Sequence, residues 1–184
     1  MKLFHYSWFV SVLCAVLFGS QGCLHRIHVT PSPPIMAERP IDQSVQVSVL
    51  FLALTGADHM PGIGSLEWPA KDLQRAAIDY VEKRQTFVSV GDEPASLTLT
   101  LKAWLTMRSR DTYIYKFRLE SDLGPPKKSP IKSYVVEKEA AGSRVRLVTA
   151  SDQDPIQETV QQALDDLLEQ IERDRSLYLK RATF

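Results

Sequence analysis

Leu97-Thr98-Leu99-Thr100-Leu101-Lys102-Ala103-Trp104-Leu105-Thr106-Met107-Arg108 is the stretch on which the fold turns. Its odd positions are apolar and its even positions, Trp104 apart, are polar. Successive strand side chains point to opposite faces, so this is a long strand with one face buried and one in water. Such alternation is typical of an antiparallel sheet covered on one side. Downstream, Arg110 and Asp111 turn the chain, and Tyr113, Tyr115, Phe117 and Leu119 alternate with Ile114, Lys116, Arg118 and Glu120 in an antiparallel partner. Gly124, Pro125 and Pro126 end that strand. Ile131 to Lys138 and Arg144 to Thr149 then flank Ala141-Gly142-Ser143, a short Gly-containing connection of the hairpin kind, which predicts a meander of four strands.

Upstream, Val45, Val47 and Val49 alternate with Gln46 and Ser48 before Leu50, Phe51, Leu52, Ala53 and Leu54 run on without a break. The pattern predicts a central strand that enters the core and is buried on both faces. Thr55 to Glu67 is longer than the usual connection and carries Asp58, His59, Gly62 and Gly64, making it a candidate functional loop. Pro69 suits the first turn of a helix whose Leu73, Ala76, Ala77, Tyr80 and Val81 fall on one face, and Phe87, Val88 and Val90 give a short strand. The last helix is expected to start with Asp154 as N-cap and Pro155 at its first position. Its stripe of Ile156, Val160, Ala163, Leu164, Leu167, Leu168 and Ile171 is wide enough to cover a sheet, and a polar tail begins near Asp174. The expected fold is α+β, a mainly antiparallel sheet with two helices packed on one face, in a single domain spanning 41–184.

The segment before this domain reads as targeting. Lys2 is followed by an apolar run from Leu3 to Phe18, then Gly19, Ser20, Gln21 and Gly22 directly before Cys23. An apolar run ending in a small residue before Cys is what a lipoprotein signal peptidase needs, so 1–22 is expected to be a signal peptide and Cys23 the lipidated residue. Secretion after the same small residues, or a retained anchor, are the alternatives. With Cys14 removed and Cys23 lipidated, the mature chain has no thiol left, which suits an oxidising compartment. In enterobacterial-type lipoproteins an Asp after the lipidated Cys favours inner-membrane retention, so by that resemblance Leu24 implies the periplasmic face of the outer membrane, where the organism has one. From Leu24 to Pro40, Pro31, Pro33, Pro34 and Pro40 predict an extended tether, able to reach roughly 50 Å at about 3.1 Å per residue.

The chain has 184 residues, 22 Lys and Arg against 22 Asp and Glu, and two Cys. Zero formal charge argues against a nucleic-acid partner, and two cysteines build neither a disulfide framework nor a four-cysteine zinc site. Gly62-Ile63-Gly64 lacks the third glycine of a dinucleotide loop, Glu67 standing in its place. Asp58-His59 has no second ligand cluster beside it, His25 and His28 being in the tether, and no G-x-S-x-G elbow occurs. No catalytic residue, metal or cofactor is therefore assigned. Charge is nonetheless polarised: residues 100–149 carry 11 Lys and Arg with 5 Asp and Glu, whereas residues 150–174 carry 8 Asp and Glu with one Arg. The open sheet face, with Lys102, Arg108, Lys116, Arg118 and Lys132, is a candidate surface for an anionic partner. Trp104, with Ile114 and Tyr134, is expected to form an exposed aromatic patch on it. A solvated face with protected edges, or a patch covered by the loop or tail, is the competing reading.

Signal, tether, strand, helix, short strand, the Leu97 to Met107 strand, meander and the Gln161-Gln162-Ala163-Leu164-Asp165-Asp166-Leu167-Leu168 closing helix resemble the YajG-type small lipoproteins, from about Asp72 to Lys180. The resemblance implies a non-enzymatic accessory or assembly factor, anchored to the membrane through Cys23 and docking another envelope component. A module that binds a glycan or a small anionic ligand on the exposed sheet face is the alternative.

Overall fold

The computed structural model describes residues 25–56, 66–91, 94–109, 112–142 and 150–179. Its elements are β1 (His25–Arg26), β2 (Ile41–Thr55), β3 (Leu66–Glu67), α1 (Ala70–Arg84), β4 (Phe87–Val90), β5 (Leu97–Ser109), β6 (Tyr113–Gly124), β7 (Lys132–Ala141), α2 (Ala150–Arg173) and a 3-10 turn, Arg175–Leu177. The main sheet has five strands in the order β4-β2-β5-β6-β7. β4 and β5 both run parallel to β2, while β5, β6 and β7 form an antiparallel meander. Three strands of the predicted meander are thus in place, and Arg144 to Thr149 lies outside the described residues. The fold is α+β with both helices on one face of the sheet.

The alternation in β5 does what period two requires. Leu97, Leu99, Leu101, Ala103, Leu105 and Met107 are buried, as are Tyr115, Phe117 and Leu119 of β6. Against them lie Leu73, Ala76, Ala77, Tyr80 and Val81 of α1, and all seven residues of the α2 stripe. Full burial of each large aliphatic side chain contributes about 1.5–3 kcal/mol before ordering costs. Trp68, just ahead of α1, joins this core with its ring centroid 5.9 Å from that of Phe117.

Polar ties join the layers. Arg84 is buried, with Nη1 2.8 Å from Asp165 Oδ1 and Nε 2.9 Å from Glu172 Oε1. Tyr80 donates its hydroxyl to Asp165 Oδ1 and Thr86 donates to Glu172 Oε1, so two of the oxygens that face the guanidinium also serve a neighbour. Burial, and donation to the Asp165 carboxylate, push the Tyr80 phenol above its ordinary range. This network bolts the end of α1 to α2.

Four expectations need correction. β5, not β2, is the middle strand, and the apolar run of β2 is not buried on both faces. Val49 pairs with Leu101 and Phe51 with Lys102, so Leu50 is an extra residue, a β-bulge that inverts the facing of everything after it. The bulge leaves Leu50 65% exposed and Phe51 45% exposed.

α2 starts at Ala150 rather than after Asp154, and Pro155 sits inside the helix. The cause is tertiary: Asp152 is buried in the first turn and accepts the Tyr115 hydroxyl from β6, which fixes the helix start to the sheet. The tail after Asp174 is not simply polar either. Tyr178 is buried, and its hydroxyl meets that of Tyr134 at 2.5 Å.

The proline-rich stretch is the fourth. From His25 onward it is a strap laid along the two helices rather than a free tether. β1 pairs in parallel with β3, and the Ile27 amide donates to Glu67 O at 2.8 Å. Arg26 pairs with Asp72 in the first turn of α1 at 2.8 Å. Ile27 and Val29 are buried. The Thr30 and Ser32 amides donate to Gln157 and Gln161 of α2, and the Ala37 amide to Arg84 O at the far end of α1. Two buried aliphatics at alternate positions suffice to seat an extended segment on helices already in place.

Candidate functional site

The face of the sheet turned away from the helices is built in rows set by strand register. One row runs Phe51, Lys102, Glu120, Val135; the next Ala53, Trp104, Arg118, Glu137; the next Thr55, Thr106, Lys116, Glu139; and Arg108 stands beside Ile114. Five of the predicted surface residues, Lys102, Trp104, Ile114, Lys116 and Arg118, are thus brought together, with Arg108 at the margin.

Tyr134 is not among them. It pairs with Ser121, an odd residue of β6, so even positions of β7 face the helices, and Tyr134 is buried against Tyr178. Lys132 shares that parity and pairs with Asp174 at the end of α2 at 2.5 Å. Lys138 likewise reaches Asp166 of α2. Two of the basic residues counted along the sequence thus belong to the helix-covered side, Lys127 and Lys128 lie in the turn after β6, and Arg110, Arg144 and Arg146 are outside the described residues.

What remains on the open face is neutralised in place. Lys116 lies 2.6 Å from Glu137, and Arg118 lies 2.6 Å from Glu120. Lys102 is directly opposite Glu120 in the register. On β5, β6 and β7 the face carries Lys102, Arg108, Lys116 and Arg118 against Glu120, Asp122, Glu137 and Glu139, with no surplus of either sign. Exposed pairs of this kind contribute about 0–1 kcal/mol each and mainly solvate the surface.

One corner differs. The Phe51 and Trp104 rings lie 5.4 Å apart at 53°, a tilted aromatic contact, with exposed Leu50 beside them at the bulge. β4 accompanies β2 only as far as Val45, and the Val49 amide beyond it donates to the Gln74 side chain of α1 at 3.3 Å. Past Val49, no strand lies along the outer edge of β2 among the described residues. Apolar rings and a strand edge therefore meet at one place. The signal for Phe51 was in the sequence, since five consecutive apolar residues in a strand with a polar face on one side leave at least one exposed.

Asp58, His59, Gly62 and Gly64 lie outside the described residues, as does Cys23. Among the described residues no group of three or more His, Cys, Asp and Glu is placed to hold a metal, and no helix is long and apolar enough to cross a membrane. A cleft of about 330 Å³ between the strap and α1 mixes charges, Arg26, Arg75 and Lys83 with Asp72 and Asp79, alongside His28. Its Asp72 carboxyl is held below the usual range by the Arg26 guanidinium bonded to it.

The chain matches no family model and no curated protein. Among solved structures it is similar to protein XCC0632 from Xanthomonas campestris, of the family DUF330, with a TM-score of 0.58 at 14% identity over 84% of this chain and 98% of that one. More distant are the hypothetical protein CT253 from Chlamydia trachomatis, with a TM-score of 0.45 at 9% identity over 69% and 95% of the two chains, and a minor lipoprotein from Acinetobacter baumannii, with 0.42 at 12% over 75% and 93%. At these identities the likeness to XCC0632 is one of fold: the chain shares the α+β architecture of a bacterial protein of the family DUF330.

Proposed function

We propose that this chain is a lipid-anchored envelope protein of the YajG-type class, held by Cys23 at the periplasmic face of the outer membrane. In this reading it is a non-enzymatic accessory factor that docks another envelope component. The observation that carries the docking site is the corner where exposed Leu50 and Phe51 meet the half-buried Trp104 at an unaccompanied strand edge, on a face otherwise covered by matched charges. Aromatic residues clustered at a surface are typical of the energetic centre of an interface. The alternative, a glycan or small anion bound by the basic residues, is less well supported, because Lys116 and Arg118 already hold carboxylates.

The test is photo-crosslinking in cells, with a photoreactive aromatic amino acid placed singly at Phe51, Trp104, Val88 or Val135. The expected result is one discrete protein adduct from positions 51 and 104 and none from 88 or 135. Adducts equally abundant at all four positions, or absent from 51 and 104, would remove the corner as a docking site.

A further inference from the structure

The strap changes what a lipid on Cys23 does to the rest of the molecule. A free tether would let the domain range over tens of ångströms. Here the chain is fastened to the body from its first described residues: β1 pairs with β3, the Ile27 amide is bonded to Glu67, Arg26 is paired with Asp72, and Ile27 and Val29 are buried. Only Leu24 separates Cys23 from His25. Two peptide units span at most about 7 Å. Whatever holds Cys23 therefore holds the part of the domain where β1 and β3 meet.

That part is one end of the sheet. Trp68, one residue past β3, packs on Phe117, which is paired with Leu105 and through it with Leu54, next to the end of β2. β2 and β5 finish at this end, β6 begins there, and both helices start there. Gly56 closes β2 at φ +82°, where a Cβ would strike Met107 O at 2.2 Å, so the chain leaves the strand tightly against its neighbour. The opposite end carries the turn from Gly124 to Ile131, β4 and the last turns of both helices. β5 alone has 13 residues, which sets the two ends roughly 40 Å apart.

We infer that the mature protein sits directly on the bilayer, with the end bearing β1 and β3, where β5 finishes and β6 begins, against the lipid headgroups. Lys71 and Arg108 are exposed toward that end and suit anionic headgroups, while Arg26 there is held by Asp72. This inference rests on the Cys23 reading and deepens it. Trp104 lies five residues from the end of β5, so the Phe51–Trp104 corner stands about 16 Å above the surface. A partner met there is a protein embedded in, or lying against, the same membrane rather than one reached across the periplasm.

The experiment uses the lipidated full-length mature chain reconstituted in vesicles containing a headgroup-attached quencher. A fluorophore is placed on Thr112→Cys at the near end or on Lys128→Cys at the far end, in the natural chain and in one with twenty Gly/Ser residues inserted between Leu24 and His25. The insert behaves as a coil of about 25 Å root-mean-square span and frees the domain. The expected result is quenching severalfold stronger at Thr112 than at Lys128 in the natural chain, with the difference collapsing in the insertion variant. A chain whose mass shows the lipid and which pellets with vesicles, yet is quenched equally at both positions, overturns the short leash and leaves the anchor standing. A chain whose mass shows no lipid and which stays in the supernatant overturns the anchor and this inference with it.

Discussion

The two faces of the sheet start from the same alternation and are finished by opposite means. On one, Leu99, Leu101, Leu105, Phe117 and Leu119 are closed over by two helices and a strap. On the other, threonines and interlocked Lys, Arg and Glu side chains keep the surface in water, except where the Leu50 bulge turns Phe51 outward to meet Trp104. A strand's pattern specifies which residues share a face but not what covers it. Stability should reside on the closed face and recognition on the open one.

The most direct way to break that contrast is to truncate neighbours on β6. Phe117→Ala removes a fully buried ring beside Trp68 and is expected to cost about 3–5 kcal/mol. Arg118→Ala, one residue along and 48% exposed, should stay within about 0.5 kcal/mol. Urea unfolding of both variants reads the contrast, and similar losses would show that the open face is structural too.

Arg84→Ala comes next. It strands Asp165 and Glu172 between the helices, but these carboxylates keep 20% and 23% exposure, so the loss should be about 2–3 kcal/mol, below that of a fully buried pair. Replacing Arg84, Asp165 and Glu172 together with apolar residues should recover most of it, as measured by the same unfolding curves. No recovery would mean that the network supplies more than compensation for its own burial.

A smaller loss, about 1.5 kcal/mol, is expected from Ile27→Ala, which weakens the strap without touching the sheet. Hydrogen exchange should quicken at the amides of Ile27, Thr30 and Ala37 while β5 and β6 remain protected. Faster exchange throughout would make the strap part of the global folding unit.

How much of this could be read beforehand follows from how local each signal is. The faces of β5 and β6, both helical stripes and the helix-covered architecture were legible, because each rests on periodicity within one element. The bulge was not, since an extra residue in a run of five apolar ones leaves no gap in the pattern. The facing of Tyr134 is not legible locally, because Ser133-Tyr134-Val135-Val136 has no clean alternation of its own and its parity is set by pairing with Ser121. The basic patch dissolved for a related reason: Lys132 and Lys138 add to a count along the chain but point to α2. In the strap, Ile27 and Val29 were two apolar residues among prolines, too few to declare a surface until the helices beneath them were known.

At the apolar corner, Leu50→Ser with Phe51→Ser should cost about 1 kcal/mol, since Leu50 is mostly in water but Phe51 keeps about half its surface covered and its ring against Trp104. The same double variant should abolish the adduct formed from position 104. Loss of fold would show instead that the corner is covered in the native protein.

The smallest expected effect is set by pH. The Asp72 carboxyl is held below its ordinary value of 3.8, chiefly by the hydrogen bond from Arg26. A lowered carboxyl favours the folded form wherever the unfolded carboxyl is ionised, so this contribution is fully present above about pH 4 and fades as pH falls through the lower folded value. Asp166 and Asp174 are lowered in the same direction by Lys138 and Lys132, so acid loosens the junction of β7 with α2 along with the strap. Comparing the natural chain with Asp72→Asn isolates the strap's share. The variant should melt slightly earlier at neutral pH, and the gap should close as the pH drops below 4. A gap that stays constant from pH 7 to pH 3 would mean that Asp72 acts through packing at the start of α1, and that the strap is held by Ile27 and Val29 alone.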